Sequence, residues 1–162
     1  MAMAIIATVR GIPQIYYGSE IAMAGDKGKG DGDIRRDMPG GWPGDSNNVF
    51  SDADRTAEQK QFYDFSSKLF NWRKNKSVIH TGKTLHYVPQ DNVYVYFRYN
   101  EAESVMVVIN NSSESRTLNT KRFTEGLKKY KSGKDVLTGK AVALATDFSI
   151  DPKSVLVLEL QK

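Results

Sequence analysis

Apolar residues change their spacing along this chain, and each change predicts a different element. From Ala2 to Val9 they run almost unbroken, with helix formers mixed among Ile and Val, which predicts the end of a buried helix stopped by Gly11. Pro13 cannot donate to a ladder, so it can only open the next segment. Gln14–Tyr17 then reads as a short, fully buried strand of the parallel type, ended by Gly18. Between Gly25 and Asp54 periodicity vanishes among Gly, Asp, Asn, Ser and Pro, which predicts a long loop of the kind that is usually functional or mobile. Thr56-Ala57-Glu58-Gln59 has the form of a capping box. Phe62, Phe65, Leu69 and Trp72 follow at three- and four-residue spacing, giving a helix from about Thr56 to Lys74 with one apolar stripe.

Beyond Asn75 the period falls to two. Val93, Val95, Phe97 and Tyr99 are expected on one face of a strand, and Tyr94, Tyr96 and Arg98 on the other. Asn100–Glu103 is a short hairpin connection to a second strand over Ser104–Asn110. Further short strands are expected near Lys83–Tyr87, Ser115–Leu118, Asp135–Leu137, Lys140–Leu144 and Ser154–Leu160. Many short strands at this spacing predict an antiparallel, Greek-key-like sandwich, and a domain boundary near Asn75–Val78. The fold class expected is therefore α+β, helices and a long loop first and an all-β domain after.

At 162 residues, 40% hydrophobic and 26% charged, the composition is that of an ordinary globular chain. A complete eight-fold β/α barrel needs roughly 250 residues and does not fit. Net charge is +4, and the basic excess gathers in Lys121, Arg122, Lys128, Lys129, Lys131, Lys134 and Lys140. Without a recognisable module this reads as a solvated lysine face, so no nucleic-acid partner is expected. No membrane partner is expected either: the apolar start is far too short to span and lacks a basic leader. The absence of cysteine removes disulfides and thiolate chemistry, and leaves periplasm, cell surface and cytoplasm all open. His80 and His86 lie near strand starts without a ligand cluster.

Gly11-Ile12-Pro13-Gln14-Ile15-Tyr16-Tyr17-Gly18-Ser19-Glu20, followed by Asp31-Gly32-Asp33-Ile34-Arg35-Arg36-Asp37-Met38-Pro39, resembles the eighth strand and following loop of α-amylase-type glycoside hydrolases of the neopullulanase and cyclomaltodextrinase kind. The second half adds to the likeness. Asn71-Trp72-Arg73-Lys74, Val93–Arg98, Asp135-Val136-Leu137-Thr138-Gly139 and Pro152–Glu159 look like the last barrel helix and C-terminal β-domain of that family. The resemblance implies that residues 1–75 are the C-terminal remnant of a catalytic (β/α)8 barrel and residues 76–162 a C-terminal sandwich. The parent would be a retaining glycosidase acting on starch, maltodextrin or related α-glucans, with α-glucan oligosaccharides as its partners. Its nucleophile, acid and stabilising carboxylate would lie before this point, so no catalytic residue is assigned and the chain alone is expected to be inactive. Within such a remnant Ala2–Ile21 would need cover from another chain, from self-association, or from packing back onto the sandwich.

Several residues are candidates for chemistry. In the maltogenic or neopullulanase-like branch the loop reads approximately Asp-Pro-Asp-x-Arg-x-Pro-Met, and its first Asp and the Arg contact glucose; here those positions fall on Asp31 and Arg35. Gly32 and Asp37 replace common prolines and loosen the loop. A carboxylate and a guanidinium can accept from one sugar hydroxyl and donate to the next, while a plain surface ion pair is the alternative reading. Tyr17, with Tyr16, would stand at the barrel mouth either touching sugar or packing the core. Trp42 either stacks on a sugar or pins its loop. Asp31 and Asp33 are poor substitutes for a catalytic pair, because Arg35 and Arg36 beside them favour the carboxylate form. No cofactor is implied beyond calcium, for which the carboxylate-rich loop supplies hard oxygen donors. A free-standing carbohydrate-binding module using exposed Tyr94 or Tyr96 is the second functional reading.

Overall fold

The computed structural model describes residues 1–162, which group into two units: Met1–Pro13 with Leu69–Lys162, and Gln14–Lys68. The first carries all the β-structure. Its sheet strands are β1 (Lys83–His86), β2 (Val93–Tyr99), β3 (Ser104–Asn110), β4 (Arg116–Leu118), β5 (Ser132–Asp135), β6 (Ala141–Ala143), β7 (Phe148–Ile150) and β8 (Ser154–Gln161). Six of them form one antiparallel sheet in the order β1-β2-β3-β8-β5-β6, and β4 pairs with β7 in a second. This is the antiparallel sandwich expected from the period-two pattern.

Alternation builds the core between those sheets. The register sets Val95 opposite Val108 and Phe97 opposite Met106, and continues Met106 to Leu158 on β8. These side chains join Leu118, Phe123, Leu127, Leu144, Phe148 and Ile150 in one buried cluster. Apolar area withdrawn from water at about 25 cal/mol per Å² makes that cluster the main source of stability.

The other face of β2 is covered as well. Tyr96 and Arg98 are both buried because residues distant in sequence pack over them, so Tyr96 is not the exposed ring that the second functional reading needs. Helix α1 (Ala2–Thr8) puts Thr8 Oγ1 within 2.5 Å of the Tyr96 hydroxyl. Arg73, near the end of helix α2 (Ala57–Lys74), donates to the carbonyls of Ala7 (2.6 Å) and Gly11 (2.7 Å) and so closes the C-terminus of α1. Arg98 does the same for the short helix α3 (Ser77–His80), donating to Ile79 O and Gly82 O at 2.9 and 2.8 Å. Of the cover expected for Ala2–Ile21, packing on the sheet is present for α1, whereas Ile12, Tyr16 and Tyr17 stand exposed. Desolvation drives the Tyr96 phenol up to about 12, so it stays a neutral hydrogen-bonding group.

One strand expectation in this unit is corrected and one strand is added. Asp135–Leu137 is a turn, with β5 ending at Asp135, because the Asp135 carboxylate accepts from Thr138 N–H (2.9 Å), Thr138 Oγ–H (2.6 Å) and Val157 N–H (3.3 Å). Gly139 then takes φ +75° to complete it. The polar-flanked β7 was not foreseen. Its Phe148 and Ile150 alternate inward around Ser149, but three residues are too few for periodicity to show. Helix α4 (Thr124–Leu127) lies in the lysine-rich segment and contributes Leu127 to the core.

The second unit contains the long irregular stretch, interrupted only by 3₁₀ turns, and most of α2. The capping box forms as expected: Thr56 N–H donates to Gln59 Oε1 (2.9 Å) and Gln59 N–H to Thr56 Oγ1 (3.2 Å). Gln14–Tyr17 is not a strand. It has no ladder partner, since this unit holds no other strand, and Tyr16 and Tyr17 are exposed. No helix of the chain is long and apolar enough to cross a membrane.

Candidate functional site

Turn chemistry, rather than a strand, presents the two tyrosines. Gly18 adopts φ +85°, and a Cβ there would meet the Met23 side chain at 2.8 Å, so only glycine permits the reversal. Ser19 N–H donates to Tyr16 O and Met23 N–H to Gly18 O, which closes the turn. The Tyr16 and Tyr17 rings stand 4.6 Å apart at 34°. Hydrogen bonding with Tyr16, followed by desolvation, holds the Tyr17 hydroxyl above its ordinary pKa, and it donates to Arg36 O at 3.1 Å.

The acidic loop is folded back on itself. Gly25 lies so close to the backbone of Asp33 and Ile34 that a Cβ would sit 2.6 Å from Asp33 O. That approach lets Asp26 N–H donate to Asp33 Oδ2 at 2.5 Å, while Asp26 Oδ1 caps the following turn by accepting from Gly28 N–H. Arg36 pairs with the other Asp33 oxygen. The Asp26 N–H first, and then Arg36, hold the Asp33 carboxyl below its ordinary pKa, so it is fixed as a carboxylate and has no proton to donate.

Asp31 and Arg35 do come together, four residues apart in sequence and 3.6 Å between Arg35 Nη2 and Asp31 Oδ2. Lys27 pairs with the second Asp31 oxygen, a partner that sequence reasoning missed. All three side chains are mostly exposed, so the ion pairs themselves contribute little to stability. Tyr17 belongs instead to a small cleft of about 80 Å³ with Tyr16, Met23, Asp33, Ile34 and Arg36. Sequence reasoning weighs Asp33 as half of a catalytic pair and Arg36 as the guanidinium beside it, and places neither in a cleft with Tyr17. Trp42 is 63% exposed and does not pin its loop, which is held instead by Asp45 accepting from Gly40 and Trp42 N–H groups.

Asp31, Lys27 and Arg35 offer a carboxylate acceptor, an ammonium and a guanidinium, and the tyrosine cleft offers two accessible phenol rings, groups suited to sugar hydroxyls and sugar ring faces. Asp33, the carboxyl group beside the tyrosines, is held as a carboxylate and so is no general acid. Nor is there a group of three or more His, Asp or Glu arranged to hold a metal ion.

Residues 84–159 match the cyclo-malto-dextrinase C-terminal domain. The cyclomaltodextrin glucanotransferase of Geobacillus stearothermophilus is 32% identical over 76% of this chain, and the cyclomaltodextrinase of Thermoanaerobacter pseudethanolicus 30% identical over 73%. In structure, the α-amylase of Geobacillus thermoleovorans, solved with acarbose, superposes on 99% of the chain with a TM-score of 0.74 and 26% identity. This chain belongs to the α-amylase family. What it matches is the C-terminal part of such proteins, spanning 15% and 18% of those two relatives and 32% of the solved α-amylase.

For an α-amylase-family chain the second functional reading loses its footing. Tyr96 is 1% exposed and hydrogen-bonded to Thr8, so it cannot hold a glycan. Tyr94 is half-buried, its ring tilted against Tyr96 at 5.2 Å and edge-on to His86 at 6.3 Å.

Proposed function

We propose that this chain is the C-terminal portion of a retaining glycosidase that hydrolyses α-glucosidic bonds in starch, maltodextrin or related α-glucans. Residues 1–75 are then the end of its catalytic barrel and residues 76–162 its C-terminal sandwich. The observation that carries this reading is the match of residues 84–159 to the cyclo-malto-dextrinase C-terminal domain, supported by likeness to an acarbose-bound α-amylase over nearly the whole chain. By itself the chain is inactive, because retaining hydrolysis needs a nucleophile and a protonated acid, and Asp33, the best-placed acid near the tyrosines, is fixed as a carboxylate.

Asp31, Arg35 and Tyr17 form one rim of the parent's sugar site. Asp31 accepts from one hydroxyl and Arg35 donates to its neighbour, while Tyr17 supplies an apolar ring face. Adding maltotriose to the 15N-labelled chain tests this directly. The amide signals of Gly30–Arg36 and Tyr17 should move first, and Arg35→Ala should abolish the movement; shifts confined to other segments would remove these residues from the site.

A further inference from the structure

In the sheet-bearing unit, basic side chains gather with no acid among them. Arg10, Arg73 and His80 line an open basin of about 400 Å³, walled otherwise by Gly11, Ile12 and Pro13. Arg73 is 6% exposed, and its two bonds run to neutral carbonyl oxygens, so three of its five N–H groups are uncommitted. Arg98 is fully buried, bonds only to the Thr84 hydroxyl and to carbonyls, and leaves its Nε without a partner. Arg10 takes part in no ion pair; those of the chain use Lys27, Arg35, Arg36, Arg55, Lys60, Lys76 and Arg116. The carboxylates of Glu103 and Glu159 are engaged by Lys76 instead.

Buried cations are normally neutralised by a nearby anion, and here they reinforce one another. Burial lowers the Arg98 pKa, and the charges of Arg10 and Arg73 lower it further. An anion in the basin would relieve that repulsion. It would also find a geometry that suits it, since planar guanidinium forks match tetrahedral oxyanions with paired N–H···O bonds.

We propose that this basin is a binding site for a phosphate group, held by the Arg10 and Arg73 guanidiniums with His80 as a further donor. Phosphate fits better than a singly charged carboxylate or chloride, because it brings more negative charge and several acceptor oxygens to a site with donors on more than one side. The group could be free inorganic phosphate or one carried on a sugar, and the two sources share this chemistry. Neither depends on Asp31, Arg35 or Tyr17, which belong to the other unit.

Isothermal titration of the whole chain with inorganic phosphate, at ionic strength held constant with sodium chloride, tests the site. Saturable binding of one phosphate per chain is expected. Arg10→Gln removes a side chain that makes no bond within the protein, so the melting temperature stays unchanged while affinity falls by about tenfold or more, the usual scale for one charge-assisted contact. Arg10→Glu abolishes binding by filling the basin with a carboxylate. Titration with glucose 1-phosphate separates the sources: tighter binding than inorganic phosphate marks a sugar-borne group, and equal binding a free one. Heats indistinguishable from a matched chloride titration, or Arg10→Gln binding as tightly as the unaltered chain, would overturn the proposal.

Discussion

Replacing Asp135 with alanine removes a buried carboxylate that serves three donors at once. Asp135 is 2% exposed and accepts from Thr138 N–H, Thr138 Oγ–H and Val157 N–H. Thr138 is exposed, so after Asp135→Ala both its donors can turn to water and little is lost there. Val157 cannot, being fully buried at the centre of β8, and its orphaned N–H costs about 1–3 kcal/mol. Adding the loss of the charge-assisted turn gives a destabilisation of roughly 2–4 kcal/mol, or about 5–15 °C in melting temperature for a domain of this size. Asp135→Asn keeps the shape but presents an NH₂ to one set of donors, so it should lose about half as much. Urea unfolding followed by tryptophan fluorescence provides the assay. Trp72 lies in the affected unit and donates to Glu159, whereas the exposed Trp42 does not, so a Trp42→Phe background confines the signal to Trp72. Loss of less than about 0.5 kcal/mol in Asp135→Ala, the range of an ordinary surface change, would refute the capping argument.

Two further perturbations test the packing around the sheet. Glu159 is desolvated, which raises its pKa, but Lys76 and the Trp72 N–H outweigh burial and leave it below its ordinary value of 4.5. A lowered carboxyl pKa stabilises the fold above the unfolded value and loses that contribution as pH falls through the folded one. The stability difference between the unaltered chain and Glu159→Gln should therefore be constant above about pH 5.5 and shrink steadily below 4.5; a difference that grows in acid would reverse the assigned sign. Gly126 sits against Phe97 so closely that a Cβ would lie 2.6 Å from ring carbons, and Gly126→Ala should cost about 1–3 kcal/mol by overpacking. An unchanged urea midpoint would mean that the ring moves freely.

Local signals were the legible part of this chain. Thr56 and Gln59 announce a helix start because both halves of the capping box lie within one turn of each other. The strands β2 and β3 show in their alternation, since each inward residue meets another directly across the ladder. What could not be read depends on contacts between distant residues. Alternation in β2 puts Tyr96 and Arg98 on one face without showing what covers it, and Thr8 and the Ile79 carbonyl close over them from segments far away in sequence. The Asp135 turn escaped notice because Val157, 22 residues on, supplies one of its bonds.

The candidate site divides the same way. Asp31 and Arg35 are four residues apart, and their pairing follows from that spacing. Tyr17 was expected on a buried strand because Gln14–Tyr17 is apolar enough for one, but a strand also needs neighbours, and none is present here. Its actual setting, donating to Arg36 O beside Asp33, comes from the Gly18 turn and the close approach at Gly25. Glycine spacing hints at such folding back without saying which segments meet.

The most direct measurement joins this chain to the remainder of the Thermoanaerobacter pseudethanolicus cyclomaltodextrinase in place of the matching part, and assays cyclomaltodextrin and maltoheptaose hydrolysis beside the chain alone. Product is expected from the joined enzyme, with Arg35→Ala raising KM, and none from the chain alone. Hydrolysis by the isolated chain, or a folded joined enzyme with no activity, would contradict its place as the non-catalytic end of an α-glucan hydrolase.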